Sequence, residues 1–396
     1  MSEIEEAIPL CPKNMGKKEE APKGIPLCPK SMGKKEEIMK KRSFAILAAA
    51  IAAAALTACG GGSSQTGSSQ AGSTASSEAG STAPAETSDG AEETQDLKKI
   101  TFVLDWTPNT NHTGLYVAQE KGYFKEAGLE VEIVQPPEDG AEVLVASGKA
   151  QFGISFQDSM APALTGDAAL PITAVAAVIQ HNTSGIISRE GEGMDSPKGL
   201  EGKKYATWDL PVEKAMVEDV MTAAGGDFSK VQLIPSTVTD EVSALQSKSV
   251  DAIWIFYAWA GVKMEVENLS TDYFAFADIN PVFDYYTPVV IAGNEFLKQD
   301  PETARTFLSA LSQGYEDAVN DPEEAGKILL KAAPELEEEL VMASQKYLAD
   351  QYKADVDVWG YMDPERWNRF YGWLNEKGLS EEIPENTGFT NDYLPQ

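Results

Sequence analysis

No cysteine occurs after position 59 in this 396-residue chain, and the three present are Cys11, Cys28 and Cys59. The long remainder can therefore hold neither a disulfide nor a thiolate metal site. Histidine is almost absent as well. His112 and His181 stand alone, without a second histidine at ligand spacing, so neither a metal nor a resident cofactor is expected. Basic residues are outnumbered, 32 Lys and Arg against 62 Asp and Glu, for a net charge of −30 at pH 7. Many of the cations crowd before Cys59, which leaves the rest more acidic still. That field repels polyanions, so nucleic acid is excluded as a partner, and a well-solvated surface explains the charge. Nowhere is there an apolar run of the roughly 20 residues that a helix needs to cross a bilayer. From Gly60 to Glu93 there is neither an aromatic residue nor an aliphatic one larger than alanine. Such a segment cannot offset its own ordering entropy and is expected to be a flexible linker.

What is present begins with Met39-Lys40-Lys41-Arg42, followed by an apolar, alanine-rich stretch from Phe44 to Leu56. Charge followed by a short apolar segment is the order of a signal peptide. The stretch ends in Leu56-Thr57-Ala58-Cys59, which resembles the bacterial lipobox and implies lipidation of Cys59. Upstream, Ile8 to Glu20 recurs nearly unchanged as Ile25 to Glu37, two copies too few and too polar for a solenoid. Residues 1–38 are therefore expected to be a non-native extension before a start at Met39. The expected organisation is signal peptide 39–58, anchored linker 59–96, a first lobe of 97–186 with 290–396, and a second lobe of 187–289. The expected location is the outer face of the cell membrane, with the protein held there as a monomer by its lipid.

About 300 residues from Leu97 are enough for two lobes. Apolar runs at Ile100 to Leu104, Leu129 to Val134, Phe152 to Phe156, Ile172 to Ile179, Val231 to Ile234, Ala252 to Phe256 and Pro288 to Ala292 predict buried strands. Helical patterns at His112 to Lys121, Ala141 to Ser147, Val212 to Ala224 and Val238 to Ser247 lie between them, several closed by glycine. The alternation predicts an α/β fold with a mostly parallel sheet. After Asn294 the pattern is helical, with Pro301, Pro322, Pro334 and Pro364 near helix starts, and this tail is expected to pack on the first lobe.

In such sheets ligands bind beyond the carboxyl ends of the strands. The first strand runs into Asp105-Trp106-Thr107-Pro108-Asn109-Thr110-Asn111-His112-Thr113-Gly114-Leu115-Tyr116, where polar and aromatic side chains converge. Asp105 and Asn109 there can equally serve as turn and helix caps. The third strand leads to Ser155-Phe156-Gln157-Asp158-Ser159, which can reach a cleft or cap the next helix. In the second half, Thr207-Trp208-Asp209-Leu210-Pro211-Val212-Glu213 sets an aromatic beside a predicted helix start, and Tyr257-Ala258-Trp259-Ala260 follows a predicted strand.

The string from Trp106 to Tyr116 closely resembles the thiamine-pyrimidine-precursor binding proteins of bacterial ABC transporters and the related fungal pyrimidine synthase. Lys121-Gly122-Tyr123-Phe124-Lys125-Glu126-Ala127-Gly128-Leu129 is similar to the broader sulfonate, nitrate and pyrimidine group. The resemblance spans roughly Lys98 to Asp357. It implies a periplasmic-binding-protein-like fold of type II, two α/β lobes closing on a ligand, with a transmembrane permease and an ATPase as partners. It further implies that Trp106 stacks on a flat heterocycle while Asn109, Asn111 and His112 read its nitrogens, with Trp208 as a wall from the second lobe. The candidate ligand residues are Asp105, Trp106, Asn109, Asn111, His112, Tyr116, Ser155, Gln157, Asp158, Trp208, Glu213, Tyr257 and Trp259.

Two departures stand out. Where pyrimidine binders tend to carry an acid after the second tryptophan, this chain has Ala260. The lysine and histidine of the synthase fall at Ser155 and Ser159, and its cysteine-rich run is replaced by Tyr286-Thr287-Pro288-Val289-Val290-Ile291. An enzyme of that kind lacks its amine and its metal ligands. Sulfonate or nitrate would call for arginine, lysine or a nest of backbone N–H groups. The first-lobe loops offer no arginine or lysine between Lys99 and Gly114 or between Gln151 and Leu170. Riboflavin, a larger ring, remains open beside the pyrimidines.

Overall fold

The computed structural model describes residues 97–396. The extension, signal peptide, lipidated Cys59 and linker expected from the sequence lie outside the described residues.

In chain order the strands are β1 (Lys98–Val103), β2 (Leu129–Val134), β3 (Phe152–Ser155), β4 (Ile172–Ala177), β5 (Ser184–Arg189), β6 (Lys204–Thr207), β7 (Gln232–Pro235), β8 (Ala252–Phe256), β9 (Thr271–Ala275) and β10 (Val289–Gly293). The helices are α1 (Thr113–Glu120), α2 (Tyr123–Glu126), α3 (Ala141–Ala146), α4 (Gln157–Leu164), α5 (Pro211–Ala223), α6 (Glu241–Gln246), α7 (Val262–Val266), α8 (Phe276–Ile279), α9 (Asn294–Gln299), α10 (Pro301–Asn320), α11 (Pro322–Ala332), α12 (Glu338–Ala349) and α13 (Pro364–Lys377).

The strands form two five-stranded sheets, ordered β2-β1-β3-β10-β4 and β7-β6-β8-β5-β9. In the first, β1 runs parallel to β2 and β3, whereas β10 is antiparallel to β3 and β4. In the second, β6 runs parallel to β7 and β8, whereas β5 is antiparallel to β8 and β9. Each sheet is thus mixed, with one reversed strand, which refines the mostly parallel sheet expected from the alternation. The reversed strands are the ones that enter from the other lobe. The chain crosses between β4 and β5 and returns between β9 and β10, so each crossing delivers a strand running the opposite way. The boundaries expected at 186/187 and 289/290 fall inside β5 and at the start of β10, a few residues beyond the crossings.

Burial explains why these segments are strands. β3, β4 and β10 are covered on both faces, as their near-continuous small and apolar residues require, and β5 is buried throughout although it ends in Ser188 and Arg189. β2 alternates, with Leu129 and Val131 inside and Glu130 and Glu132 outside, which suits a charged sheet edge. The helical tail packs against the first sheet as expected: Phe307 of α10 stacks on Phe152 at 4.1 Å and on Phe124 at 5.2 Å. The proline-started helices are capped by Asp300, Asp321 and Asp363, each accepting a first-turn N–H. Helix α10 also fixes α1. A Cβ on Gly314 would meet the Gly114 carbonyl oxygen at 2.0 Å, so the two backbones cross where only glycine fits. This crossing sets the start of α1, and with it the turn that follows β1.

Candidate functional site

The carboxyl ends of β1, β3, β6, β7 and β8 open on one cleft of about 370 Å³ between the lobes. That volume is in the range of small-molecule sites. From the first lobe come Asp105, Trp106, Asn109, Thr110, Asn111 and Phe156; from the second come Trp208, Ser236, Val238, Glu241, Trp254 and Trp259. The two crossings add Thr183, Thr287 and Pro288 to the lining.

The loop after β1 is built around a buried histidine. Asn109 starts a 3₁₀ turn over Thr110–His112, its Oδ1 accepting the Asn111 N–H at 2.9 Å while its Nδ2 donates to the Thr107 carbonyl at 3.0 Å. His112 Nδ1 accepts the Asn109 N–H at 3.2 Å. With Nδ1 occupied as an acceptor, Nε2 carries the proton and donates to Asp105 Oδ1 at 2.7 Å. The tail locks the same turn. Tyr315 and Tyr352 donate to the carbonyls of Asn111 and Thr110 at 2.7 and 2.6 Å, and Thr110 Oγ1 lies 2.6 Å from Ser344 Oγ, which donates to the Ala258 carbonyl in the second lobe.

Trp106 is left outside this network. It is 57% exposed and Trp208 is 42% exposed, while Trp254, Trp359, Trp367 and Trp373 are buried. Two large aromatics left uncovered at one cleft, one from each lobe, are not explained by packing and leave indole faces open to the cleft.

The loop carrying Trp208 is held by Glu213. This buried carboxylate accepts from Tyr205 Oη at 2.7 Å, Thr207 Oγ1 at 3.0 Å, and the backbone N–H groups of Trp208 and Leu210 at 3.2 and 3.3 Å. Asp209 between them takes a left-handed conformation, φ 64°. Burial and the neighbouring Glu213 push the Tyr205 phenol well above its ordinary range.

The structure brings six of the thirteen candidate residues to the cleft lining: Asp105, Trp106, Asn109, Asn111, Trp208 and Trp259. His112 and Glu213 stand directly behind it and act through the loops they hold. The other five are placed elsewhere. Tyr116 lines a separate open groove with Lys99, Gln119 and Glu130. Ser155 is buried and donates to Glu142 Oε1 at 2.6 Å. Gln157 is consumed by the Trp367 carbonyl and the Tyr286 N–H, both at 2.9 Å. Asp158 sits in the first turn of α4 outside the lining; desolvation, with Glu142 nearby adding like charge, pushes its carboxyl up to about 6 against the backbone N–H bonds it accepts. Tyr257 packs on Tyr273 and Tyr347 with centroids 4.8 and 5.5 Å away and donates to Glu265. Sequence reasoning missed Phe156, Ser236, Glu241, Thr183 and Thr287 as lining residues. Phe156 and Ser236 follow strands directly and could have been read by the same rule.

The lining's electrostatics are one-sided. Among the described residues, Asp105 and Glu241 are its ionisable groups, and no lysine, arginine, histidine or cysteine lines it. A carboxylate-bearing aromatic slot accepts N–H donors and repels an oxyanion.

Comparison with known proteins bears on the same region. Residues 109–325 match the family model described as NMT1/THI5 like. The chain belongs to that family. A formylaminopyrimidine-binding protein of Halalkalibacterium halodurans is 32% identical over 307 residues, covering 74% of this chain and 89% of its own length. A 4-amino-5-hydroxymethyl-2-methylpyrimidine phosphate synthase of Saccharomyces cerevisiae is 26% identical over 329 residues, covering 75% and 88%. Among solved structures, the periplasmic aliphatic sulphonate binding protein of Escherichia coli aligns with a TM-score of 0.56 at 14% identity, covering 72% of this chain and 90% of its own. At that identity the likeness speaks for the fold, which is that of a periplasmic binding protein.

Proposed function

We propose that this chain is the extracytoplasmic solute-binding component of an ABC importer and that it carries a thiamine pyrimidine precursor, a formyl-aminopyrimidine or hydroxymethylpyrimidine, to its permease. The observation that carries the ligand class is the cleft itself, where Trp106 and Trp208 are exposed from opposite lobes beside Asp105 and Glu241, with no lysine or arginine among the described lining residues. A flat, amine-bearing heterocycle can stack on the indoles and donate to the carboxylates. Stacking of this kind adds about 0.5 to 1.5 kcal/mol beyond buried area. A sulfonate or nitrate would meet the carboxyl groups of Asp105 and Glu241 and, among the described lining residues, no lysine or arginine.

The family members named as synthases are a second reading of the same fold. Schiff-base or thiolate chemistry needs a lysine or cysteine facing the cleft, and among the described residues none lines it. Transport is therefore favoured over synthesis. The lobes would close on the ligand, ligand binding being stronger in the closed state, and the closed form would be read by the permease and its ATPase. A lipid on Cys59 and the linker after it would hold the monomeric domain near the membrane.

A thermal-shift screen of the purified protein against formyl-aminopyrimidine, hydroxymethylpyrimidine, thiamine, riboflavin, taurine and nitrate tests this. A ligand at 100 times its Kd adds about 2.7 kcal/mol of stability. A shift with an aminopyrimidine is expected; a shift with taurine or nitrate alone would overturn the ligand class.

A further inference from the structure

Three residues of the cleft lining each carry a buried polar atom with no hydrogen-bond partner: Thr183 Oγ1, Thr287 Oγ1 and Trp254 Nε1. All three side chains belong to residues more than nine-tenths buried. Leaving a buried donor or hydroxyl unsatisfied is costly, which is why nearly all such groups in proteins are paired. Their origins are also telling. Thr183 ends the crossing from β4 to β5, and Thr287 ends the return from β9 to β10, so each of the two connections between the lobes contributes one unsatisfied hydroxyl to the same cleft. Trp254 comes from β8, the strand that pairs with β5, its ring 5.7 Å from that of Trp208.

We infer that Thr183, Thr287 and Trp254 form a neutral hydrogen-bonding subsite at the crossings, which takes an uncharged acceptor on the ligand, a carbonyl oxygen or an unprotonated ring nitrogen. The chemistry follows from the donor set. An indole N–H can only donate, and each hydroxyl can donate or accept. None of the three carries charge, and the ionisable groups of the lining, Asp105 and Glu241, are acceptors for N–H groups. The cleft is thus divided: carboxylates receive the ligand's amine, and the crossings receive its acceptor. A ligand held by a hydroxyl from each crossing also ties occupancy to the two segments about which the lobes move. This inference rests on the aromatic cleft being the ligand site but not on the ligand being a pyrimidine.

The test is titration calorimetry on Thr183→Val, Thr287→Val and wild type, with formyl-aminopyrimidine, the same aminopyrimidine lacking its formyl group, and riboflavin as probes, alongside thermal melting without ligand. Each valine is expected to weaken the bound probe about five- to tenfold. In ligand-free protein, removing an unsatisfied hydroxyl is expected to leave the melting temperature unchanged or raise it. Weakening confined to the formylated probe assigns the acceptor to the carbonyl, and equal weakening of both pyrimidines assigns it to a ring nitrogen. If only riboflavin binds and both variants weaken it, the subsite stands and the pyrimidine reading falls. The inference is overturned if the variants bind the cognate probe as wild type does. It is also overturned, whether or not any probe binds, if both valines lower the melting temperature of the ligand-free protein, because the hydroxyls then serve the fold.

Discussion

His112 Nε2 donates to Asp105 Oδ1 at 2.7 Å while its Nδ1 accepts the Asn109 N–H at 3.2 Å, so one buried ring joins both ends of the turn that follows β1. The histidine expected to read the ligand is instead buried and positions two residues that line the cleft.

His112→Ala leaves a buried cavity and two polar groups without partners. It is expected to destabilise the protein by about 2 to 4 kcal/mol in urea denaturation. The affinity of the cleft for its ligand should fall at least tenfold as Asp105 and Asn109 lose their placement. An affinity equal to wild type would show that the turn holds its shape without the ring.

Glu213 accepts four hydrogen bonds, two of them from the backbone of the loop bearing Trp208. Glu213→Ala strands all four donors and should cost about 2 to 4 kcal/mol. Glu213→Gln keeps the shape but offers one acceptor oxygen, and a smaller loss is expected. Tryptophan fluorescence of both variants should report a shifted Trp208 environment, and calorimetry a weaker ligand. A folded Glu213→Ala protein with wild-type affinity would contradict the positioning role.

Asp158 gives a pH dependence with a definite sign. Its folded pKa, about 6, lies above the ordinary aspartate value of 3.8, mainly through desolvation. A group shifted this way contributes stability that is complete below the unfolded value and is lost as pH rises through the folded one. Asp158→Asn is therefore expected to raise stability by about 1 to 3 kcal/mol at pH 8 and to confer little advantage at pH 4. Melting curves at the two pH values decide it; an advantage independent of pH would point to packing instead.

The glycine crossing behind the first loop is equally testable. Gly314→Ala would place a methyl against the Gly114 carbonyl oxygen and near Ala118. Overpacking of this kind costs about 1 to 3 kcal/mol. Chemical denaturation should show that loss, and a neutral variant would mean that α1 and α10 can separate freely.

Much of this was legible in the sequence wherever one element decides the outcome. Leu129–Val134 and Ala252–Phe256 were read end to end because alternation or continuous apolarity marks them. Strands β5, β6 and β9 were missed: Ser188, Arg189, Thr271 and Asp272 break the pattern, and β6 is only the four residues Lys204–Thr207. Arg189 is tolerated there because the carbonyls of Leu245 and Val250 and the carboxylates of Glu192 and Asp251 gather around it, an arrangement visible only in three dimensions. At the site, Trp106 was found in the loop after β1 and Trp208 beside the start of α5, although the strand before Trp208 went unread. Gln157 also follows a strand, yet its amide is used up by Trp367 and Tyr286, more than a hundred residues away. Thr183, Thr287 and Glu241 went unread because no local pattern distinguishes them; the meeting of the two lobes makes them neighbours.

The most direct test of the cleft as an aminopyrimidine site is calorimetric titration of formyl-aminopyrimidine into the wild-type protein and into Trp106→Ala and Trp208→Ala. Saturable binding by wild type, weakened at least tenfold in both variants, is the expected result. Binding that neither substitution alters, or no binding by wild type while taurine binds, would contradict it.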